Sequence, residues 1–322
     1  MKKLLSLIII LLLSTGIFFA FDYIQYRIIV ANSNESPSKS YLSQLFGGRY
    51  FTSQSINFHK LPFERKKQDY RENIFNNNAN IKQSILIFGC SFANGYLLED
   101  KDTFSNKLSL KTKRNVYNMA LCACGIQHMY HLLKDKDFFQ YINKNETKAP
   151  EYLIYVYIPS HLQRVSSSIF PSFLGTDGEN LIYELKNNSL ILKKYLPVIN
   201  RTYLVKKLKL AIEKRTPPFS REGKLQNFEL AKKLFIESKK ILEQNYPNIK
   251  FVILRYRNKK EQSEFEIPFM WEYLEEEGFI IIDSKDLINR MYTDVDTTED
   301  KIHPNAQAWD ELIPPLIKKL NL

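Results

Sequence analysis

Short apolar runs alternate with segments of helical periodicity from about residue 85 to the carboxyl end of the chain. The apolar runs have the length and composition of buried strands, and they occur at residues 85–88, 115–118, 152–158, 251–254 and 279–282. The segments with a helical apolar stripe occur at residues 103–110, 127–139, 227–245, 268–277 and 304–320. Strands that alternate with helices in this way predict an α/β fold with a parallel sheet and right-handed crossovers.

The alternation is interrupted between about residues 166 and 225. Within this interval, the apolar segments 181–185 and 190–194 flank Asn187-Asn188. Two short β-prone runs joined by two asparagines are typical of a β-hairpin. The sequence therefore predicts an insertion that contains a hairpin and lies over the carboxyl edge of the sheet.

The amino end has the pattern of a membrane anchor. Lys2-Lys3 precede an apolar run over residues 4–21, and a run of about 18 residues can cross a bilayer. No Ala-x-Ala-like site follows, so an uncleaved anchor is predicted, with the bulk of the chain outside the cytoplasm. A cleaved signal peptide, followed by secretion, is the alternative. The predicted organisation is an anchor over 1–30, a linker and wrapping segment over 31–83, and one domain over 84–322.

Composition limits the classes of partner. The chain has 322 residues, of which 44% are hydrophobic and 25% charged, with a net charge of +11. The basic residues are spread along the chain, which suits a surface that meets anionic cell-envelope material. No recognition motif or Arg-rich helix points to nucleic acid, so no nucleic-acid partner is expected. The oligomeric state stays open.

The cysteines do not form a disulfide framework. The chain has three, at positions 90, 122 and 124, and a chain of this size gains little from so few. The Cys122-x-Cys124 pair has no partner set for zinc. Free thiols are predicted, and neither a metal nor a cofactor is expected.

Ser91 is the first candidate for chemistry. It follows Gly89-Cys90 directly after the strand at residues 85–88. The carboxyl ends of parallel strands are where α/β sheets place their chemistry, so Ser91 is a candidate nucleophile. The competing interpretation is an ordinary Gly/Ser turn after a buried strand.

The sequence Asp300-Lys-Ile-His303-Pro304 supplies a candidate base. Pro304 suits the first turn of the last helix, which makes His303 its predicted N-cap. Asp300 can accept a hydrogen bond from one ring nitrogen of His303, and the other nitrogen can then take a hydroxyl proton. Taken alone, the spacing also fits a polar loop with a capping histidine.

Four segments in this order resemble the conserved blocks of SGNH (GDSL-type) hydrolases. Residues 89–95, Gly-Cys-Ser-Phe-Ala-Asn-Gly, resemble the family's Gly-Asp-Ser-Phe-x-x-x-Gly, with the cysteine that marks a Gly-Cys-Ser subfamily linked to bacterial cell-surface polysaccharides. Residues 118–128 resemble the second block, Asn-x-Ala-x-x-Gly-Trp-Gly-x-Gln-His. His161-x-x-Arg164 resembles the third, and Asp300-x-x-His303-Pro304 resembles the last.

This resemblance implies a flavodoxin-like three-layer SGNH fold and a serine mechanism. Ser91 would be the nucleophile, His303 the base and Asp300 the residue that orients it. The resemblance also implies oxyanion donors and possible substrate-binding residues: the backbone N–H groups of Ser91 and Ala123 and the side chain of His161 as donors, and Asn94, Gln127 and Arg164 as possible substrate contacts. The expected substrate is an acyl ester, most simply acetyl, on a cell-surface glycan. Hydrolase and O-acyltransferase would differ only in the acceptor.

A non-catalytic function is the rival interpretation. Cys90, Ala123 and the pair Pro159-Ser160 replace residues that the family usually has at these positions. The same fold could then bind glycan, or assist in the assembly of the cell envelope, without turnover.

Overall fold

A computed structural model of the chain describes residues 83–122, 124–146, 148–165, 182–193, 221–257 and 269–322. All of these residues belong to one compact unit. The predicted anchor, nearly all of the predicted linker and most of the predicted insertion lie outside the described residues, and the domain boundaries stay predictions. None of the helices in the described ranges is both long and apolar enough to cross a membrane.

The elements of the described ranges alternate along the chain. The strands are β1 Ile85–Gly89, β2 Val116–Asn118, β3 Tyr152–Tyr157, β4 Ile182–Lys186, β5 Ser189–Lys193, β6 Lys250–Arg255 and β7 Ile280–Asp283. The helices are α1 Ser91–Asn94, α2 Phe104–Thr112, α3 Ile126–Leu133, α4 Lys136–Asn145, α5 Ser160–Arg164, α6 Arg221–Asn245, α7 Phe269–Glu276, α8 Ser284–Ile288 and α9 Ala306–Leu320. Single 3₁₀ turns occur at Asp100–Asp102 and Asp294–Asp296.

Five strands form one parallel sheet in the order β2-β1-β3-β6-β7. Counted within this sheet, the order is that of flavodoxin-like folds, in which ligands bind where the strand order reverses. Here the reversal lies between β1 and β3, whose register pairs Gly89 with Val156. The predicted α/β class and parallel sheet are confirmed.

The sheet separates two hydrophobic clusters, which gives the three layers. Side chains of β1 alternate between them: Leu86 and Phe88 pack with α3, α4, α6 and α7, whereas Ile85 and Ile87 pack with α1, α2 and α9. Every residue of β1 and β3 is buried. Because both faces are covered, the strands form continuous apolar runs in the sequence.

Strands β4 and β5 form the predicted hairpin. Its turn residues Asn187 and Asn188 both have left-handed backbone, with φ of 49° and 60°, as a two-residue hairpin turn requires. The hairpin packs on α3, because the hydroxyl of Tyr183 lies 3.0 Å from Nδ1 of His131.

Two helix predictions require correction. The segment predicted as one helix over 127–139 forms α3 and α4, because the side chain of Asp135 accepts from the N–H of Asp137 and begins a new helix. The last helix begins at Ala306, so His303 is not its N-cap. Asn305 has that role, and its side chain accepts from the N–H of Ala308.

Candidate active site

Ser91 is the first residue of α1 and lies directly beyond the carboxyl end of β1. Gly89 makes the turn between strand and helix possible. Its φ is 149°, and an added Cβ would lie 2.9 Å from both the Cβ of Ala93 and the carbonyl oxygen of Val156. Only glycine fits this close approach, so Ser91 is presented at the edge of the sheet beside β3.

Ser91, His303 and Asp300 form one continuous line of hydrogen bonds. The Oγ of Ser91 lies 2.7 Å from Nε2 of His303, and Nδ1 of His303 lies 2.5 Å from Oδ2 of Asp300. A carboxylate can only accept, so Nδ1 carries the proton and Nε2 is the acceptor for the serine hydroxyl. This is the arrangement in which an imidazole can remove a proton from a serine.

The loop geometry explains why an Asp-x-x-His spacing brings the two side chains together. Oδ1 of Asp300 accepts from the N–H groups of Ile302 and His303 and from the hydroxyl of Thr298. Lys301 has left-handed backbone, with φ of 56°. The loop therefore folds back on the carboxylate, and Oδ2 is left to face the imidazole.

These contacts keep Asp300 ionised. Its partial burial by itself would raise the pKa of the carboxyl group. The hydrogen bonds from the His303 side chain, from the N–H groups of His303 and Ile302 and from Thr298 outweigh that effect and lower the pKa to about 2. The carboxylate is thus charged at any pH at which the protein would act.

Replacing Asp300 by asparagine should therefore cost stability in a pH-dependent way. The lowered pKa stabilises the fold fully above the ordinary value of 3.8, and this stabilisation is lost as the pH falls toward about 2. We expect the free energy of unfolding of Asp300→Asn to be up to about 2 kcal/mol below wild type at pH 6, with the gap closing near pH 2.5. Urea titrations at both pH values measure this, with the exposed Asp286→Asn as control. An equal gap at both values would contradict it.

A partly buried ion pair fixes the base of the same loop. Arg290 donates to both oxygens of Asp296, at 2.8 Å each, and also pairs with Glu311 of α9. The backbone oxygen of Asp296 accepts from the N–H of Asn305. The chain on both sides of Asp300 and His303 is thereby held to the last helix.

Two asparagines join the nucleophile helix to the turn after β2. The side-chain amide of Asn94 donates to the carbonyl of Ala120 at 2.9 Å. Asn118 donates to the carbonyl of Ala93 and accepts from the N–H of Ala120. Asn94 is partly exposed, so its predicted contact with substrate stays a prediction.

The predicted oxyanion donors are only partly described. The N–H of Ser91 is the first of α1 and has no acceptor within the helix. Ala123 lies outside the described residues, although the turn on both sides of it is present. The role of its N–H group stays a prediction.

The structure does not expose Gln127 and Arg164 to a substrate. Both side chains are buried. The amide of Gln127 donates to the backbone carbonyl of Arg164 at 3.0 Å, and the guanidinium of Arg164 donates to the carbonyl of Cys124 at 3.0 Å. These bonds tie Cys124 and the start of α3 to α5, and the predicted contact of both side chains with substrate stays a prediction.

His161 lies in the interior beside β3. Its ring is 0% exposed, and Nδ1 lies 2.8 Å from the hydroxyl of Tyr155. Burial, and then the positive charge of Arg164, place the pKa of His161 well below its usual range, so the ring is neutral. Nε2 has no hydrogen-bond partner in the described part of the chain. A role as oxyanion donor would require the substrate oxygen to reach this enclosed nitrogen.

Two aromatic residues near His303 were not predicted from the sequence. The rings of Phe92 and Tyr96 each lie 5.1 Å from the imidazole, centroid to centroid. No local pattern indicates this contact, because His303 lies on a distant segment of the chain. The three cysteines are free thiols, and the described ranges contain no cluster of His, Cys, Asp and Glu side chains that could hold a metal ion.

Comparisons with known proteins give low similarity. No family model matches the chain, and no curated protein matches its sequence. A lipase from a goat rumen metagenome has 10% identity and a TM-score of 0.45, over 74% of this chain and 97% of that one. A carbohydrate esterase family 2 enzyme from Corynascus thermopiles has 11% identity and a TM-score of 0.42, over 75% and 67%.

A protein of the G-D-S-L family from Desulfitobacterium hafniense has 11% identity and a TM-score of 0.39, over 74% of this chain and 99% of that one. The similar solved structures thus include lipolytic and carbohydrate esterases. Similarity at this level shows neither the family nor the activity of this chain.

Proposed function

We propose that the protein is a serine esterase or O-acyltransferase of the SGNH type that acts on acyl esters of cell-surface glycans. The observation that carries this proposal is the hydrogen-bonded line from Ser91 through His303 to Asp300. A serine, an imidazole and a carboxylate in this order form the apparatus of acyl transfer. The partly buried imidazole and carboxylate, with side-chain exposures of 15% and 25%, leave the site open to a substrate.

The geometry fits a two-step reaction. In the first step, the Oγ of Ser91 attacks the ester carbonyl while its proton passes to Nε2 of His303, and Asp300 stabilises the imidazolium. The oxyanion receives hydrogen bonds from the N–H groups of Ser91 and Ala123 and from His161. Collapse breaks the ester bond, the leaving alcohol takes the proton from Nε2, and an acyl-Ser91 intermediate remains.

In the second step, an acceptor hydroxyl attacks the acyl carbon and gives its proton to Nε2. The bond to Oγ breaks, and Oγ recovers the proton. If the acceptor is water, the product is a free acid, and if it is a sugar hydroxyl, the acyl group is transferred. The site chemistry is the same for both.

The substrate class rests on the sequence. The net charge of +11 suits an anionic glycan, and the Gly-Cys-Ser motif resembles a subfamily linked to cell-surface polysaccharides. Acetyl is the simplest acyl group that this chemistry would transfer. No cofactor is needed for either step.

Covalent labelling tests the proposed function without the natural substrate. An alkyl phosphonofluoridate should modify Ser91, as shown by mass spectrometry of the labelled peptide, and the protein should hydrolyse a chromogenic acetate ester. Ser91→Ala should lose both signals, whereas the exposed Ser189→Ala on the hairpin should keep both. A folded wild type that is neither labelled nor active would leave the non-catalytic, glycan-binding alternative.

We further propose that residues 1–30 are an uncleaved anchor that holds the bulk of the chain outside the cytoplasm. The apolar run over residues 4–21 after Lys2-Lys3 supports this. Amino-terminal sequencing of protein extracted from membranes should find the chain intact from its first residues. A mature protein that begins beyond about residue 15 would show a cleaved signal peptide instead.

A further inference from the structure

The imidazole of His303 is packed against two aromatic rings that follow Ser91 in the chain. Phe92 lies 5.1 Å from it with an interplanar angle of 55°. Tyr96 lies at the same distance with an angle of 59°. The segment that presents the nucleophile therefore also supplies the side chains that surround the proposed base.

The backbone fixes Tyr96 to the start of α1. Gly95 has left-handed backbone with φ of 80°, and an added Cβ there would lie 2.6 Å from Cγ2 of Thr103. The N–H groups of Gly95 and Tyr96 both donate to the carbonyl of Ser91, at 3.0 Å each. This helix end turns the chain back, so that the Tyr96 ring is positioned by the same residue that carries the nucleophilic oxygen.

The two rings differ in what else they contact. Phe92 is 2% exposed and packs edge-on against Tyr256 at 5.6 Å, so it belongs to the core. Tyr96 is 39% exposed and contributes little to the core. Its ring packs against His303, and a substitution there can be made without opening the interior.

We propose that Tyr96 is a positioning residue that holds the His303 ring in place during the second half of the reaction. This inference rests on the proposed function. Before acylation, the imidazole has hydrogen bonds at both nitrogens. Once Oγ of Ser91 is bonded to the acyl carbon, it no longer has a proton to donate to Nε2, and the bond to Asp300 remains.

An imidazole held at one nitrogen can rotate, because the torsion that sets its ring plane has a broad, shallow preference. Packing against Tyr96 opposes that rotation while Nε2 takes the proton of the attacking water and returns it to Oγ. Loss of the ring should therefore slow deacylation more than acylation.

The kinetic consequence is specific. When deacylation becomes slower and acylation is unchanged, kcat and KM fall together and kcat/KM is preserved. We expect Tyr96→Ala to lower kcat for a chromogenic acetate by about ten-fold with kcat/KM unchanged, and to show a burst of acyl-enzyme. Tyr96→Phe keeps the ring and should restore both parameters. Leu110→Ala on α2, a residue 61% exposed, is the control and should behave as wild type.

A second measurement does not depend on activity. Ser91→Ala removes the hydrogen bond at Nε2, as acylation does, and the Nδ1 proton of His303, hydrogen-bonded to Asp300, should then give a downfield proton resonance in NMR spectra of the full chain. We expect this resonance to be sharp in Ser91→Ala and in Ser91→Ala with Tyr96→Phe, and broadened or absent in Ser91→Ala with Tyr96→Ala.

The outcomes separate this inference from the proposed function. An unchanged kcat in Tyr96→Ala, or a raised KM with a lowered kcat/KM, overturns the positioning role, the latter by showing a contact with substrate. If wild type neither hydrolyses the ester nor forms an acyl-enzyme, the proposed function fails. The NMR comparison alone then tests whether Tyr96 positions the His303 ring. A resonance as sharp in Ser91→Ala with Tyr96→Ala as in Ser91→Ala alone then overturns the inference.

Discussion

Replacement of Ser91 by alanine should lower the turnover of an acetyl ester by about 1000-fold or more, while the protein stays folded. The methyl side chain cannot form the acyl intermediate, and the removed oxygen is the one that lies 2.7 Å from Nε2 of His303. His303→Ala should cause a loss of similar size, because the hydroxyl then has no base.

The pattern across variants matters as much as the size of each loss. If Ser91 and His303 act as a unit, the double variant should be no slower than either single variant. Asp300→Ala should cost less, since Asp300 orients the ring and stabilises its charge. His161→Ala should cost about a hundred-fold if it donates to the oxyanion. Steady-state rates on one ester, with circular dichroism to verify folding, measure all of this.

A wild-type rate in a folded Ser91→Ala would show that the measured hydrolysis occurs elsewhere. Losses that multiply in the double variant would indicate that the two side chains act independently. Either result would contradict the serine mechanism, and the first would favour the glycan-binding alternative.

Replacement of Arg290 by alanine should lower the free energy of unfolding by about 3 kcal/mol. The side chain of Asp296 is 2% exposed, and Arg290 supplies both of its charged hydrogen bonds. Without Arg290, the donors that remain to this buried carboxylate within the described ranges are the N–H and hydroxyl of Thr293. The loop that carries Asp300 and His303 should loosen, so turnover should fall as well.

Two variants make this prediction specific. Lys101→Ala removes an ion pair with Glu99 whose partners are 72% and 75% exposed, and it should leave the free energy of unfolding almost unchanged. Adding Asp296→Asn to Arg290→Ala removes the orphaned charge and should recover part of the loss. Urea unfolding measures both changes. An equal effect of Arg290→Ala and Lys101→Ala would contradict the prediction that the Arg290–Asp296 ion pair stabilises the loop.

The ion pair also gives the loop a defined acid sensitivity. The hydrogen bonds from Arg290 lower the pKa of Asp296 below its ordinary value of 3.8. Its stabilisation is therefore complete above that value and is lost as the pH falls below it. The wild-type advantage over Arg290→Ala should accordingly be present at pH 6 and shrink below pH 4.

The sequence predicted the sheet and the hairpin because their signals are local. A short apolar run indicates a buried strand, and an Asn-Asn pair indicates a tight turn, without reference to distant residues. Hydrophobic periodicity did not predict the helix boundaries that one polar capping side chain sets. Asp135 divides the helix predicted over 127–139, and Asn305 begins the last helix two residues after the predicted cap.

The contacts that complete the candidate site carried no local signal. Ser91, Asp300 and His303 were identified from short motifs, yet the contacts of Arg164 with Cys124 and of Tyr96 with His303 join separate segments of the chain. No periodic pattern records which polar or aromatic side chains will meet. Gln127 and Arg164 were accordingly predicted to face a substrate, although their polar groups bind the backbone of neighbouring segments.

The hydrogen bond between Ser91 and His303 joins residues 212 positions apart. The nucleophile follows the first strand of the sheet, and its partner precedes the last helix, so the two meet only when these distant segments are brought together. Contacts of such large sequence separation form late and slowly. Ester turnover would therefore report that the domain has folded completely. A nascent or partly denatured chain would be inactive even if most of its secondary structure had formed.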